Sequence, residues 1–169
     1  IISTILGLIF GLCTNGVAQY FITKSGYIEI QSETKLYNLQ GENTKVASIL
    51  NPNNGEIIVS TLIRSFRFKE AIIEEHLVDK YLDSRQFPRA IFKGNIEGFQ
   101  NIKLHNNGHF IVTISGVLSF HNQTQFISKQ GILSIHNGRI SLVADIVISF
   151  KDYEITLGSL YKYVVNDEI

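Results

Sequence analysis

The chain contains a single cysteine. Cys13 lies within a leading apolar segment, so the rest of the 169-residue chain has none. Without cysteine, that remainder has no disulfide framework, no cysteine nucleophile and no thiolate ligand for a metal ion. A domain of about 150 residues buries roughly 68–70% of its unfolded surface. We therefore expect one stable domain without cross-links.

The chain also lacks net charge. Lys and Arg number 15, Asp and Glu number 15, and the formal net charge is +0. No run of like charge is long enough to suggest a charged tail. Because a neutral chain has no general electrostatic attraction to nucleic acid, we expect no nucleic-acid partner.

Several motifs of enzymes and metal sites are missing. The sequence has no Gly-x-Ser-x-Gly, no phosphate-binding glycine-rich loop and no His-Glu-x-x-His. Glu74 and Glu75 are neighbours in a predicted helix and therefore point apart, so they do not form a carboxylate pair. His105 and His109 lack a third ligand and would make a poor zinc site. We expect no catalytic residue, no metal ion and no resident cofactor.

The first eighteen residues resemble the second half of a secretory signal peptide. An apolar run over residues 1–12 leads through a polar pair to the small residues Gly16, Val17 and Ala18. The run is shorter than the roughly 20 residues that a spanning helix needs. We predict that residues 1–18 are an incomplete signal peptide and that residues 19–169 form one periplasmic or secreted domain. An uncleaved anchor is the alternative.

Apolar residues alternate with polar ones along much of the chain. This period of two is typical of strands with one dry face. The predicted dry positions of two strands are Phe110, Val112, Ile114, Gly116, Leu118 and Phe120, followed by Ile140, Leu142, Ala144, Ile146, Ile148 and Phe150. A further stretch carries Ile58, Leu62, Phe66 and Phe68 at even positions.

Turn residues and one helical segment punctuate these strands. Asn137-Gly138 predicts a two-residue hairpin turn, and Ser25-Gly26 predicts another turn. Residues 69–84 have apolar positions at helical spacing, and Pro88 follows them. Many strands around one helical insertion favour a closed all-β architecture over a parallel α/β sheet. We predict an antiparallel barrel of about eight strands with a short helical insertion.

Three stretches resemble the YceI-like family. Residues 66–96 resemble its passage from an aromatic strand end, through a helical segment, to a strand start of aromatic, proline, small residue, phenylalanine and lysine. The matching positions are His76-Leu77, Tyr81, Ser84, Phe87-Pro88, Ala90 and Phe92-Lys93-Gly94. Residues 115–124 are similar to the family's Gly-x-Leu-Thr-Ile-His-Gly-x-Thr hairpin, with Asn122 where glycine is common. Residues 150–155 resemble the family's closing strand.

The resemblance covers nearly all of residues 19–169 and is closest to members from Bacteroidetes-type bacteria. It implies a lipocalin-like barrel, periplasmic or secreted, in which some members hold a polyisoprenoid or a similar amphipathic lipid. The residues expected to line the barrel and bind such a ligand are Phe66, Phe68, Phe92, Ile114, Leu118, Phe120, Ile146 and Ile148. The small residues Gly116 and Ala144 would leave space for it.

Three functional hypotheses follow. The first is non-enzymatic carriage or sequestration of an isoprenoid-like, quinone-like or fatty-acid-like lipid, with a homodimer left open. The second is a structural or interaction module of the cell envelope, whose core is filled and in which glycine eases strand curvature. The third, an outer-membrane barrel, is disfavoured by the helical insertion, the short connections and the lack of aromatic girdles. We therefore expect no stable membrane insertion.

Overall fold

The computed structural model describes residues 4–10, 20–33 and 38–158, with the backbone alone for residues 4–10, 33 and 38. The strands are β1 (Thr4–Phe10), β2 (Phe21–Glu33), β3 (Asn38–Leu50), β4 (Glu56–Leu62), β5 (Arg67–Phe68), β6 (Arg89–Ile96), β7 (Gly108–Phe120), β8 (Gln123–His136) and β9 (Arg139–Ile146). An α-helix, α1 (Ala71–Glu74), continues into a π-helical turn, Glu75–Tyr81, between β5 and β6. Short 3-10 turns occur at Ile63–Ser65, Phe99–Asn101 and Phe150–Tyr153.

Eight of these strands form a closed antiparallel ring. Their order is β2-β1-β9-β8-β7-β6-β4-β3, and β3 pairs again with β2. The two-residue strand β5 is attached to β3. Closure pairs the strands on both sides and so removes the exposed edges of an open sheet. The predicted antiparallel barrel with a helical insertion is confirmed.

The segment predicted to be a signal peptide falls partly within this ring. Residues Thr4–Phe10 form β1, which pairs with β2 on one side and with β9 on the other. The predicted cleavage after Ala18 lies outside the described residues. The signal peptide and the domain boundary at residue 19 remain predictions.

Two tight hairpins join the last three strands. His121-Asn122 and Asn137-Gly138 each have two successive positive φ angles, 49° and 60° in the first and 50° and 75° in the second. Such turns match the right-handed twist of the strands that they join. The hairpin predicted at Asn137-Gly138 is confirmed.

The turn predicted at Ser25-Gly26 is wrong. These residues lie inside β2, where the register against β3 shifts on either side of Gly26. Such a β-bulge bends a strand without ending it. A glycine signals a bulge as readily as a turn, so this pattern alone does not decide between them.

The predicted inward faces of β7 and β9 are confirmed. Ile114 and Leu118 on β7 and Leu142 and Ala144 on β9 are buried. Ile111, on the opposite face of β7, is 78% exposed. Alternation along these strands therefore places the apolar row inside the barrel and the row between its residues outside.

The even-position face predicted for β4 is wrong. Ile57 and Val59 point inward, whereas Ile58 is 41% exposed and Leu62 is 39% exposed. Both faces of this strand are apolar, so pairing with β3 and β6 selects the inward one. The 3-10 turn Ile63–Ser65 then interrupts the alternation and returns Phe66 to the core.

The barrel interior has two unequal halves. Near the β3–β4 and β8–β9 turns it is packed solid, and we call this region the filled half. Its fully buried side chains include Leu50, Ile96, Phe99, Leu133 and Ile140. Gly55, at φ 78°, allows this packing, because a Cβ there would lie 2.5 Å from the Cβ of Phe99. The opposite half carries the helical insertion.

Candidate functional site

A cavity of about 150 Å³ occupies the half of the barrel where β4 and β9 end. Nineteen of the twenty-one lining residues that the structure describes are apolar, and the exceptions are Thr61 and Lys129. An apolar cavity of about this volume stays dry and takes up apolar guests of the size of benzene. The lining is therefore suited to an apolar group rather than to water.

The helical insertion closes the cavity on one side. The N–H of Leu82 donates to the carbonyl of Leu77, five residues earlier, over 2.9 Å. This wider π-helical spacing brings the two leucines onto one face of the segment, and both line the cavity. Glu74 ties α1 to the sheet, since its carboxylate accepts a 3.0 Å hydrogen bond from the N–H of Phe68.

Part of the lining is open to solvent. The partly or fully exposed lining residues near β1 are Ile28 and Ile30 on β2, Ile127 and Lys129 on β8, Ile146 at the end of β9 and Ile148 just after it. Because β2, β1, β9 and β8 are consecutive around the ring, these six residues border one opening, which we call the mouth. Lys129 is the only ionisable residue among the described residues of the lining.

Polar groups inside the barrel are mostly satisfied by one another. Thr61 lines the cavity, but its hydroxyl accepts a 2.8 Å hydrogen bond from the buried amide of Asn43. That amide also donates to the carbonyl of Leu62, and its oxygen accepts from the N–H of Lys45. Among the described side chains, only Ser48 Oγ is buried without a hydrogen-bond partner, and it does not line the cavity. The interior thus offers a ligand little besides apolar contact.

Seven of the eight residues predicted to line the barrel do line this cavity. They are Phe66, Phe92, Ile114, Leu118, Phe120, Ile146 and Ile148. Contact of these side chains with a ligand remains a prediction.

Phe68 is the exception and does not line this cavity. It is buried but belongs to β5 and pairs with Gly41 of β3. Its ring covers Gly41, where a Cβ would lie 2.3 Å from a ring carbon. The expected alternation of inward and outward residues runs unbroken through residues 55–68, whereas the chain turns between β4 and β5.

Gly116 does not open space in the barrel, contrary to expectation. A Cβ at this position would lie 2.4 Å from both the Cα of Gly94 and the carbonyl oxygen of Lys93. The missing side chain therefore permits close approach of β6 to β7, and Gly116 is not among the lining residues. Ala144, the other small residue, does line the cavity.

Sequence reasoning missed several lining residues, including Ile28, Ile30, Leu77, Leu82 and Lys129. The sequence contains one signal that could have identified Lys129. This lysine shares the inward positions of β8 with Ile127 and Leu133, and a charged residue on a dry face is unusual. The positions on β2 were obscured by the bulge at Gly26.

A contact at the β7–β8 hairpin fixes one wall of the site. The Nδ1–H of His121 donates to the carbonyl of Tyr153 over 2.9 Å, and its ring packs on Phe87 with 4.4 Å between centroids. These contacts hold the 3-10 turn Phe150–Tyr153 against the hairpin, and Phe150 lines the cavity. His121 is therefore a positioning residue for this wall.

Two kinds of feature are absent from the described ranges. Within residues 4–10, 20–33 and 38–158, no three His, Cys, Asp or Glu side chains are grouped to hold a metal ion. In the same ranges no helix is long and apolar enough to cross a membrane.

Solved structures share this architecture. A polyisoprenoid-binding domain from Saccharophagus degradans, implicated in plant cell wall breakdown, superposes with a TM-score of 0.70 at 13% identity, covering 80% of each chain. BcnA from Burkholderia cenocepacia gives 0.66 at 13% identity, covering 98% of this chain and 90% of that one. The Campylobacter jejuni YceI protein gives 0.52 at 13% identity, covering 95% and 85% respectively.

At these identities the similarity is one of fold. No protein-family model matches the sequence, and no curated protein matches it. The fold is that of YceI-like and polyisoprenoid-binding domain proteins, and nothing in the comparisons supports a narrower placement among Bacteroidetes-type members.

Proposed function

We propose that this chain is a YceI-like protein that binds an isoprenoid-like or other amphipathic lipid in its cavity, without catalysing a reaction. It would carry or sequester that lipid in the periplasm or outside the cell. Removal of residues 1–18 as a signal peptide would take β1 out of the ring and leave β2 and β9 as its edges. The observation that carries the proposal is the cavity itself, whose lining is apolar at nineteen of its twenty-one described residues. The name of the Saccharophagus degradans domain supports the class of ligand.

The energetics of apolar burial are sufficient for such binding. Burying about six methylene groups, as many carbons as benzene has, contributes roughly 5 kcal/mol before the costs of ordering the ligand. A guest the size of benzene fills a cavity of this volume, so a longer chain must extend through the mouth. A single apolar chain with its polar end outside fits this shape.

The direct test is to identify what the protein carries. Native mass spectrometry of the purified protein, followed by organic extraction, should reveal a bound lipid. Lipid-free protein should take up a quinone or a polyprenyl compound. Protein that never retains a lipid and takes up neither compound would refute the proposal.

A pair of variants on one strand tests the location. Leu118→Arg places a charge in the cavity lining and should abolish uptake, because an unpaired charge there is costly. Ile111→Arg places the same charge on the outer face of β7 and should leave uptake unchanged. Circular dichroism checks that the sheet still forms in both variants. Equal uptake by the two variants would place the ligand elsewhere.

The alternative is an interaction module, and one observation favours it. The outer wall carries two cross-strand rows of exposed apolar side chains, Ile22–Ile49–Ile58 and Ile111–Ile132–Val143. Contiguous exposed apolar surface marks contact sites in many proteins. Under this alternative, sedimentation velocity should detect a dimer that Ile132→Lys dissociates, whereas lipid uptake should be absent.

A further inference from the structure

We propose that Lys129 binds the headgroup of the ligand, so that the site selects an amphiphile with one apolar chain and a terminal oxyanion. This inference rests on the proposed lipid-binding function and narrows its ligand class. A carboxylate and a phosphate monoester share the required chemistry.

The position of Lys129 is unusual for a lysine. It lies opposite Ile114 of β7 and shares its inward direction with Ile127 and Gly131 of β8. It is exposed and yet lines the cavity. A lysine in this setting lays its methylene stem along the apolar surface and keeps its ammonium group in water. The charge is therefore held at the mouth.

No carboxylate neutralises this charge in the part of the chain that the structure describes. The ion pair between Arg67 and Glu74 lies elsewhere, in the β5–α1 segment. Among the described residues, the cavity lining contains no acidic side chain, and the lining neighbours of Lys129 at the mouth are Ile127, Ile146 and Ile148. The ammonium group is thus available to a ligand, and no acidic residue of the described lining competes for it.

The arrangement favours one ligand orientation. The apolar chain enters the cavity, where it meets the lining of Leu118, Ala144 and Phe92. The headgroup stays at the mouth within reach of Lys129 and of solvent. An oxyanion gains a charge-assisted hydrogen bond there, a neutral headgroup gains less, and a cationic headgroup is repelled.

The size of the preference follows from the exposure of the site. The weakest hydrogen bonds to charged groups contribute enough free energy to raise an affinity about tenfold. Because the ammonium group is exposed, solvent and salt weaken the interaction. We expect about a tenfold preference at low ionic strength, which shrinks as salt is added.

The test compares two ligands that differ in the headgroup alone. Isothermal titration at mildly alkaline pH, where a carboxyl group is ionised, would measure binding of decanoate and of decan-1-ol to the lipid-free protein. Wild-type protein should bind decanoate about tenfold more tightly. Lys129→Gln should remove this preference by lowering the affinity for decanoate about tenfold. Decyl phosphate forms a third arm, and tighter binding than decanoate identifies phosphate as the better headgroup.

Lys93→Gln is the matched control. Lys93 is exposed on β6 and does not line the cavity, so this variant changes net charge equally and should keep the preference. Equal affinity of wild-type protein for decanoate and decan-1-ol, or a preference that survives Lys129→Gln, would overturn the role of Lys129 while lipid binding stands. Failure to bind any of the three ligands would instead refute the proposed function.

Discussion

Gly94 and Gly116 pair directly across β6 and β7, and the two strands approach too closely there for a side chain. A Cβ on Gly116 would meet backbone atoms at 2.4 Å, and a Cβ on Gly94 would meet the carbonyl oxygen of Ser115 at the same distance. Backbone atoms in a paired sheet cannot move aside as the end of a side chain can. The glycines therefore fix the approach of these strands and hence the shape of the wall.

Gly116→Ala should lower the free energy of unfolding by about 2–3 kcal/mol, because the added methyl group forces β6 and β7 apart. Urea denaturation measures this change. Gly108→Ala is the control, since its methyl group would meet only the ring of Phe110 at 3.1 Å, and it should cost less than about 1 kcal/mol. Equal losses in the two variants would contradict the close approach.

The phenol of Tyr153 makes stability depend on pH in the alkaline range. Burial, with a smaller contribution from Asp152, raises the pKa of Tyr153 from 10.0 to about 12. Between these values the folded state holds the proton more tightly than the unfolded chain does. The stabilisation is therefore complete below pH 10 and is lost as pH rises toward 12.

Tyr153→Phe should remove this dependence. Between pH 10 and about 12, the wild-type protein should lose roughly 2 kcal/mol of unfolding free energy relative to the variant. Taking the difference cancels the other tyrosines and the lysines, which titrate in both proteins. Denaturant unfolding at a series of alkaline pH values gives the curve, and a constant difference would show that the phenol titrates normally.

At the scale of elements, prediction succeeded where the two faces of a strand differ. On β7 and β9 the inward positions hold apolar residues such as Ile114 and Leu142, while Ser119 and Asp145 stand among the outward ones. On β4 both faces are apolar, so the sequence of the strand does not specify its register. The pairing partners β3 and β6 decide it, and they are distant in sequence.

Two neighbouring residues on β4 test its observed orientation. Val59→Asn should lower the free energy of unfolding by about 2–4 kcal/mol, because it removes apolar burial and leaves an amide without partners. Ile58→Asn, on the outer face, should cost less than about 1 kcal/mol. Thermal or urea unfolding of both variants is sufficient. A larger loss for Ile58→Asn than for Val59→Asn would instead support the inward even positions expected from the sequence.

The helical insertion shows a similar division between local and tertiary information. Helical spacing in residues 69–84 and the following Pro88 predict a helix at the observed place. The π-helical turn is different, because it depends on Leu77 and Leu82 both reaching the barrel interior. That requirement comes from the neighbouring strands and is invisible in the segment itself.

At the scale of the whole molecule, the barrel reconciles two interpretations that the sequence left open. An eight-stranded barrel is just wide enough to be filled by side chains or to hold one small ligand. This barrel does both, since Phe99 and Leu133 pack the filled half while the cavity occupies the other. Which half stays open depends on large side chains such as Phe99 entering from a connecting turn, and strand alternation does not predict that.

The most direct measurement is an isotope-filtered NOE experiment on methyl-labelled protein with bound decan-1-ol. We predict NOEs from the methylene protons of the ligand to the methyl groups of Leu118, Ala144 and Ile146, which line the cavity. NOEs to Ile111, Ile132 and Val143 on the outer wall, with none to the cavity methyl groups, would contradict this prediction.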